Sequence, residues 1–391
     1  MKAPEYYRGK EQTYLKHFFL ESYLETVAFH ILHAHSDFVY VDCFSGPWRP
    51  EHEDLADTSI RISLDKLNYV RNVLAADEKC PTIRAIFIEK DRAAFGALQQ
   101  ALEQYHGAIQ TAALPGAFED NIPGILKEIG DAFAFCFIDP TGWKLSMDRI
   151  QPLLIHRPGE VMINFMYDFV NRFLNSQDAA TEMSLDRFFG TKTWRSLRDR
   201  PDRESAIIGL YENQVRSLGN FPYVTSTKIL KPLHERAYFH LIYATRSSKG
   251  IEKFRDVEKR LVLAQGPVRE VAQREHRQQR TGQEELPFGG SGTFTPSVRD
   301  ERAAQRKAAK LSLFDLLQHG PRRYEDLLAH LLQLPLFWKT DLHDLLMEEY
   351  RADHVIIEGM TSRQRVPNER CIVRLADPGG PAAGLGRPKG R

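Results

Sequence analysis

Short apolar runs alternate with segments of helical periodicity along the first 245 residues, and this alternation limits the folds that are open to the chain. The runs contain few polar residues, as expected for strands buried on both faces. They are FVYVDCF (38–44), IRAIFIE (83–89), IQTAAL (109–114), AFAFCFI (132–138) and EVMINFM (160–166). Helical spacing fills the segments between them, at 58–74, 92–105, 120–129 and 147–155. Strands joined by helices in this way predict a parallel sheet with helices on both faces.

The pattern changes after the fifth strand. Residues 169–220 are predicted to be a mainly helical insertion, and two further strands follow at 223–230 and 237–245. Only six residues separate those two strands, which is too few for a crossover helix, so we predict an antiparallel hairpin. A parallel sheet that ends in such a hairpin is the layout of Rossmann-like methyltransferases. The prediction is therefore an α/β fold of this kind over residues 1–265, and another doubly wound fold is the alternative that strand order alone leaves open.

The remainder of the chain divides into three predicted parts. Residues 266–310 contain QREHRQQRTGQEELPFGGSGTFTP, which has few aliphatic residues, so a flexible linker is predicted. Residues 311–376 combine three apolar helical stripes with two strand patterns around the loop TSRQRVPNER, which predicts a winged helix. The tail, residues 377–391, is predicted to be disordered.

Composition excludes several classes of protein. The chain has 391 residues and a formal charge of +1, so affinity for nucleic acid would need a local patch of basic residues. It has no run of about 18 apolar residues, and its first residues lack the apolar core of a signal peptide, so we expect a cytoplasmic protein without membrane contact. The four cysteines lie far apart and predict neither a metal site nor disulfides.

The first strand ends in the stretch DCFSGP, which has the residues of a ligand-binding loop. Ligands of doubly wound sheets bind beyond the carboxyl ends of the strands, and a glycine there lets the backbone approach a ligand. We expect Gly46 to close the loop, Phe44 to shape the pocket, and Asp42 either to orient the loop or to meet a cofactor's amino group. The alternative is an ordinary turn at the end of a strand.

The second strand ends in Glu89, at the position where a carboxylate accepts hydrogen bonds from both ribose hydroxyls of a nucleoside cofactor. The alternative role, capping the following helix, suits Asp91 better. The pattern GxGxxG is absent, since Pro47 and Trp48 stand where further glycines would be, and this weakens a dinucleotide interpretation. S-adenosylmethionine carries no phosphate and is the predicted cofactor.

The fourth strand leads into FCFIDPTGWK, which resembles the DPPY-type motif of amino-group methyltransferases. There a carboxylate and a backbone carbonyl hold the target amine while an aromatic ring stacks on the base. The corresponding candidates are Asp139, Pro140 and Trp143, and a base in a duplex would have to be flipped out to reach them. The alternative is a Pro-Gly turn beside a core tryptophan. Nuclease or hydrolase chemistry at Asp139 would need further nearby acids.

Seven stretches in order make the chain similar to the three-Cys-motif partner family, a bacterial group with a Rossmann-type methyltransferase-like domain and a winged-helix segment. They span about residues 12–260: LKHFFLESYL, YVDCFSGP, DTSIRISL, IFIEKD, FCFIDPTGWK, EVMINFMYDFVNRF and YFHLIYATRSSKGIEKF. The resemblance implies a cofactor pocket and a partner that looks like a radical S-adenosylmethionine enzyme. The three cysteines in the family's name belong to that partner.

The chain departs from the family pattern at two positions. Trp48 replaces a second glycine, and Ala117 replaces an acid after the third strand, which puts the adenine contact in doubt. Asp120 is the candidate substitute for that acid.

Further candidates for the substrate side follow the fifth strand. Asn164 and Asp168 are expected to line the cleft and Arg172 to meet a phosphate, unless Arg172 pairs with Asp168 at helical spacing. Lys16 and His17 on the first helix are further candidates, with a solvated helix face as the alternative.

The charged residues of the C-terminal module point to two kinds of partner, a protein and a nucleic acid. Its third helix, KTDLHDLLMEEY, is acidic and therefore a poor match for phosphates, so docking to a protein partner is favoured. The predicted wing leaves contact with nucleic acid possible through Arg363, Arg365 and Arg370.

The sequence thus predicts a methyltransferase-like protein that modifies an amine of a nucleobase or nucleic acid, together with its partner. The alternative is a non-catalytic adaptor with a degenerate pocket that recruits the partner to nucleic acid.

Overall fold

A computed structural model describes residues 4–46, 58–140, 142–283, 294–361 and 364–376. The chain forms two compact units. The first comprises residues 1–246 and 260–293, and the second comprises residues 247–259 and 294–391. The predicted boundary near residue 265 therefore differs from the observed one, because residues 247–259 belong to the second unit.

The first unit contains a seven-stranded sheet whose strands match the predicted positions closely. They are β1 (Asp37–Asp42), β2 (Thr82–Glu89), β3 (Gln110–Pro115), β4 (Phe133–Ile138), β5 (Gly159–Phe165), β6 (Tyr223–Leu230) and β7 (Ala237–Thr245). The spatial order is β3-β2-β1-β4-β5-β7-β6. The first five strands are parallel, whereas β7 runs antiparallel to both β5 and β6. This order and these directions are those of Rossmann-like methyltransferases, which confirms the predicted fold of this unit.

Helices follow each parallel strand and also fill the predicted insertion. Those of the first unit are α1 (Glu11–Leu32), α2 (Ser59–Ala76), α3 (Arg92–Glu103), α4 (Phe118–Ile129), α5 (Met147–Leu154), α6 (Tyr167–Phe173), α7 (Ala179–Phe189) and α8 (Arg203–Gly219). The central strands are buried on both faces, as their continuous apolar runs require. Tyr23 fixes α1 to the sheet by donating a hydrogen bond of 2.8 Å to the buried carboxylate of Glu160.

The strand order sets the location of the site. The carboxyl ends of β1 to β5 share one edge, and the order reverses between β1 and β4, where a crevice opens. The turn between β6 and β7 lies at the same edge, because His240 near the start of β7 pairs with Phe165 at the end of β5.

Two long helices occupy most of the predicted linker. They are α9 (Ser248–Thr281) and α10 (Pro296–Gln318), so the linker prediction is wrong for residues 266–281 and 296–310. The Gln, Arg, Glu and Lys residues that make this segment polar are also good helix formers. Arg269 of α9 is buried and donates hydrogen bonds of 3.0 Å to the carbonyls of Lys231 and His234. Residues 284–293 lie outside the described part of the chain.

The second unit contains the helices and the hairpin that the sequence predicts. After α10 come β8 (Arg322–Arg323), α11 (Tyr324–Leu331), α12 (Lys339–Arg351), β9 (Val355–Glu358) and β10 (Ile372–Leu375). The three strands form an antiparallel sheet in the order β8-β10-β9. The assignment of this unit as a winged helix remains a prediction, and the predicted disordered tail, 377–391, lies outside the described residues. No helix in the described ranges is both long and apolar enough to span a membrane.

Candidate functional site

The loop after β1 is organised by Asp42. Its buried carboxylate accepts hydrogen bonds from the Phe44 N–H at 3.2 Å and from the Ser59 hydroxyl at 3.1 Å. Ser45 ties the same loop to β2, since its N–H donates to the carbonyl of Ile88 at 2.9 Å. Of the two roles predicted for Asp42, the contacts therefore match the orientation of the loop. No local sequence pattern points to Ser59, which lies beyond the undescribed residues 47–57.

Gly46 and Glu89 meet across the mouth of the crevice. A Cβ atom at Gly46 would lie 1.6 Å from Oε2 of Glu89, so no other residue fits without displacing that carboxylate. Glu89 is 6% exposed, and its Oε1 accepts a hydrogen bond of 2.6 Å from the Asp91 N–H. No residue in the described ranges donates to its Oε2. Asp91 itself caps α3 through the N–H groups of Ala93 and Ala94, as the sequence predicts.

Asp139, at the end of β4, is bound from two sides. Its Oδ2 accepts from Nζ of Lys16 on α1, and its Oδ1 accepts from Nδ2 of Asn164 on β5, both at 2.5 Å. Asn164 is 2% exposed, and its own Oδ1 has no hydrogen-bond partner in the described parts of the chain. The structure thus brings together three of the residues predicted from sequence, Asp139, Asn164 and Lys16. Lys16 precedes Asp139 by 123 residues in the chain. The fourth, Pro140, is buried beside them.

The other candidate on α1, His17, is internal. Its ring is buried and Nδ1 lies 3.3 Å from the hydroxyl of Tyr7. Burial, assisted by the charge of Lys16, lowers the pKa of His17 to about 3. The ring is therefore neutral at physiological pH and has a structural place in the core.

Trp143 belongs to an aromatic cluster with the helical insertion. Its ring lies 5.0 Å from that of Phe169 and 4.7 Å from that of Phe173, and its Nε1 donates to the Ser184 hydroxyl at 3.0 Å. Gly142 has a φ of +81° and a Cβ there would lie 2.6 Å from Phe169, so both the turn and the packing require glycine. These contacts are those of the alternative interpretation, a core tryptophan, and stacking on a base remains a prediction.

The residues after β3 divide between the core and the surface. Phe118 is buried with its ring 5.3 Å from that of Phe44, so the two rings pack together at this edge, and the role of Phe44 in shaping a pocket remains a prediction. Asp120 forms an ion pair with Arg149, and its side chain is 66% exposed. Its carboxylate is therefore engaged by this chain, and the role as a substitute adenine ligand remains a prediction.

Asp168 and Arg172 form the helical pair that the sequence left as an alternative. Nη2 of Arg172 lies 3.1 Å from Oδ2 of Asp168, while Nζ of Lys231 lies 2.7 Å from its Oδ1. Asp168 also lines a cleft of about 290 Å³ at the same edge of the sheet. Among the described residues, no cluster of His, Cys, Asp and Glu is arranged to hold a metal ion.

The acids of α12 are largely compensated within the second unit. Asp341, Glu348 and Glu349 pair with Arg302, Arg306 and Lys310 of α10, respectively. This pairing reduces the acidic character on which the docking prediction rests. Arg365 and Arg370 are exposed, whereas Arg363 lies outside the described residues.

The buried carboxyl group of Asp42 predicts a pH-dependent stability. Burial, opposed by the hydrogen bond from Phe44, raises the pKa of Asp42 from 3.8 to about 6. Protonation of the Asp42 carboxylate therefore stabilises the folded protein. This stabilisation is complete below pH 3.8 and is lost as the pH rises through 6. Asp42→Asn abolishes the ionisation. We therefore expect the free energy of unfolding of this variant, relative to that of the wild type, to rise by about 2–2.5 kcal/mol between pH 4 and pH 8, measured by hydrogen exchange in β1.

The exposed Asp148 provides the control, since Asp148→Asn should show no such pH-dependent gain. A gain for Asp42→Asn that is the same at both pH values would contradict a buried, ionised carboxylate at this position.

Comparison with known proteins adds distant structural likenesses. No protein-family model and no curated protein matches the chain. A Staphylococcus aureus protein named for caffeoyl-CoA O-methyltransferase activity is 12% identical, with 57% of this chain and 82% of that one covered and a TM-score of 0.29. A loganic acid methyltransferase solved with S-adenosylhomocysteine is 11% identical, with 68% and 88% covered and a TM-score of 0.27. The fold assignment rests on the strand order and directions, not on these scores.

Proposed function

We propose that the first unit is an S-adenosylmethionine-dependent methyltransferase that acts on an amine of a nucleobase, free or in nucleic acid. The observation that carries this proposal is the polar group at the crevice between β1 and β4. There the Asp139 carboxylate holds an ammonium group and an amide N–H, and the buried Oδ1 of Asn164 has no donor in the described structure. An acceptor amine has two N–H groups, of which one would donate to the Asp139 carboxylate and the other to Oδ1 of Asn164.

The residues at the end of β2 suit the nucleoside part of the cofactor. Glu89 is buried and acts only as an acceptor, and its Oε2 is the oxygen without a donor in the described part of the chain. Ribose hydroxyls would supply the missing donors. Gly46 lets the loop backbone lie close to that oxygen, because the oxygen fills the space that a side chain at this position would take. Bound there, S-adenosylmethionine would supply the methyl group.

The contribution of this chain to the reaction would be positioning. Asp139 and Asn164 would fix the direction of the acceptor's lone pair, and holding two reactants in line is worth several orders of magnitude in rate. Lys16 occupies part of the carboxylate that the acceptor amine would use, so acceptor binding would displace its Nζ. The carbonyl of Pro140 and the ring of Trp143 would complete the acceptor site.

The proposed partner is the three-Cys-motif protein that the family resemblance implies, which looks like a radical S-adenosylmethionine enzyme. The second unit is the proposed docking module, a winged helix whose exposed Arg365 and Arg370 leave nucleic-acid contact as a competing role. Binding of the purified partner to variants of this unit, compared with binding of DNA and RNA, tests the two roles.

The packing of Trp143 and the occupation of Asp139 by Lys16 favour a second candidate function. Both groups are engaged by the chain itself, as expected in an adaptor that has lost catalysis. Such a protein would use the same fold to bring its partner to nucleic acid. The two candidates differ in one measurable property, which is the binding of cofactor.

Calorimetric titration with S-adenosylhomocysteine tests the cofactor site through Glu89→Gln. Glutamine keeps the size of the side chain but replaces one acceptor oxygen with a donor. Because hydrogen bonds to a charged group contribute about 1.5–3 kcal/mol, we expect the Kd to rise by about tenfold to a hundredfold. Glu103→Gln, at the exposed end of α3, is the matched control and should bind as the wild type does.

Wild-type protein that takes up no S-adenosylhomocysteine at millimolar concentration would remove the enzyme proposal and leave the adaptor. Equal affinity of wild type and Glu89→Gln would place the nucleoside elsewhere.

A further inference from the structure

The cleft of about 290 Å³ is built from three segments that are far apart in sequence. Its walls come from α6, from residues 200–204 before and at the start of α8, and from the turn between β6 and β7. All three lie at the edge of the sheet that carries Asp139, because α6 begins two residues after β5 ends. Three guanidinium groups line it, those of Arg200, Arg203 and Arg236, and we call it the arginine cleft.

The acids that line the arginine cleft each have a basic neighbour. Lys231 lies 2.7 Å from Asp168, Arg269 lies 2.7 Å from Glu235, and His240 lies 3.3 Å from Glu204. The charges of Asp168 and Glu235 are therefore offset by Lys231 and Arg269. Glu204 lies beside a ring that is charged only when protonated, and the charges of Lys228 and Arg236 also act on it.

Two of the three arginines form no ion pair in the described structure, although the charge of Arg236 acts on the carboxylate of Glu204. Arg203 is held by neutral groups, the carbonyl of Arg198 at 3.0 Å and the hydroxyl of Tyr167. The side chain of Arg236 is exposed and forms no hydrogen bond or ion pair with any described residue. Arg200 pairs with Asp202 at 2.7 Å, on a surface where both side chains are about half exposed, and such pairs contribute little. The cleft thus presents guanidinium donors that an anion would satisfy.

The number and kind of these donors point to the ligand. A phosphate group has three or more acceptor oxygens and is bound well by planar guanidinium forks, whereas a carboxylate offers only two oxygens. The cleft is close to the smallest volumes of small-molecule sites, about 300 Å³. Three residues of backbone, at most about 11 Å, separate Tyr167 in its wall from Asn164 beside Asp139. One acceptor molecule would therefore reach both places.

We propose that the arginine cleft binds a phosphate group of the acceptor. This inference rests on the proposed function, since it describes the acceptor of that reaction as a phosphorylated nucleoside. The phosphate has two possible sources, a free nucleotide or the backbone of a nucleic acid. Arg203, fixed by Arg198 and Tyr167, is the preorganised ligand, and Arg236 closes on the phosphate from the β6–β7 turn.

The test is calorimetry on the full chain without any S-adenosyl compound, so failure of the cofactor site does not affect it. The probes are cytidine 5′-monophosphate, cytidine and a ten-nucleotide oligocytidylate, because cytosine carries the amine that the proposed function requires. The ionic strength is held constant, because non-specific binding depends on salt. The monophosphate should bind more tightly than cytidine. Arg236→Ala should weaken that binding by about tenfold or more, the effect of one charge-assisted hydrogen bond, without affecting the fold.

Arg260→Ala, which removes an exposed arginine from α9, is the matched control and should bind as the wild type does. A tenfold loss for the monophosphate supports a nucleotide source, and a loss confined to the oligocytidylate supports a nucleic-acid backbone. The proposal is overturned if the monophosphate and the oligocytidylate both fail to bind at about 10 mM, a concentration at which even a weak site would be occupied. It is equally overturned if Arg236→Ala binds both as the wild type does.

Discussion

Replacing Asp139 with asparagine should reduce methyl transfer by about a hundredfold or more while leaving the affinity for S-adenosylhomocysteine within a few-fold. The Asp139 carboxylate attracts two N–H donors at 2.5 Å, from Lys16 and Asn164, and we propose that the acceptor amine takes the place of the first. Asparagine removes the charge and turns one oxygen into a donor, so the amine loses its orientation. Transfer of a tritiated methyl group to single-stranded DNA and to transfer RNA measures the effect.

Asp148→Asn is the matched control for this variant, because Asp148 lies in the first turn of α5 and is exposed. It should keep both activity and cofactor affinity. A folded Asp139→Asn protein that loses cofactor affinity and methyl transfer equally would make Asp139 a cofactor ligand or a structural residue. Unchanged transfer would assign the acceptor site to other groups.

The sheet was predictable because its information is local. Continuous apolar runs such as that of β4 can only be strands buried on both faces, and the six residues between β6 and β7 allow only a hairpin. The linker prediction is wrong for the opposite reason. The polar composition of this part of α9 predicts that it buries little surface. Arg269 is nevertheless buried and donates hydrogen bonds to two carbonyls of the β6–β7 turn, which no local pattern reveals.

The same distinction separates the predictable and unpredictable parts of the site. Asp42, Glu89 and Asp139 end parallel strands, so the topology alone brings them to one edge. The surroundings of Trp143 depend on Phe169, Phe173 and Ser184, whose position in the insertion follows from packing and not from spacing. The arginine cleft likewise joins segments with no shared motif, which is why Arg203 and Arg236 were not among the predicted residues.

The second unit has a buried charged pair that the sequence did not suggest. Arg255 and Glu258 of α9 are 1% and 0% exposed, with 2.6 Å between Nη1 and Oε1. Nε of Arg255 also donates to the carbonyl of Leu332 at 2.8 Å, and Trp338 donates to the other oxygen of Glu258 at 3.1 Å. The pair therefore joins residues 247–259 to the helices of this unit, which explains why the first part of α9 belongs to the second unit while the rest of that helix, from residue 260, belongs to the first.

Arg255→Met is expected to lower the free energy of unfolding of the second unit by about 3–5 kcal/mol, because it leaves the carboxylate of Glu258 buried without its cation. Hydrogen exchange of the amides in α11 and α12 measures this locally in the full chain. Arg323→Met is the control, since the ion pair of Arg323 with Glu325 is exposed and contributes at most about 1 kcal/mol.

The double variant Arg255→Met, Glu258→Met should recover much of the lost stability, because replacing both members of a buried pair by apolar side chains removes the uncompensated charge. A double variant no more stable than Arg255→Met alone would show that the hydrogen bonds from Arg255 to the carbonyls, and not the ion pair, hold residues 247–259 in this unit.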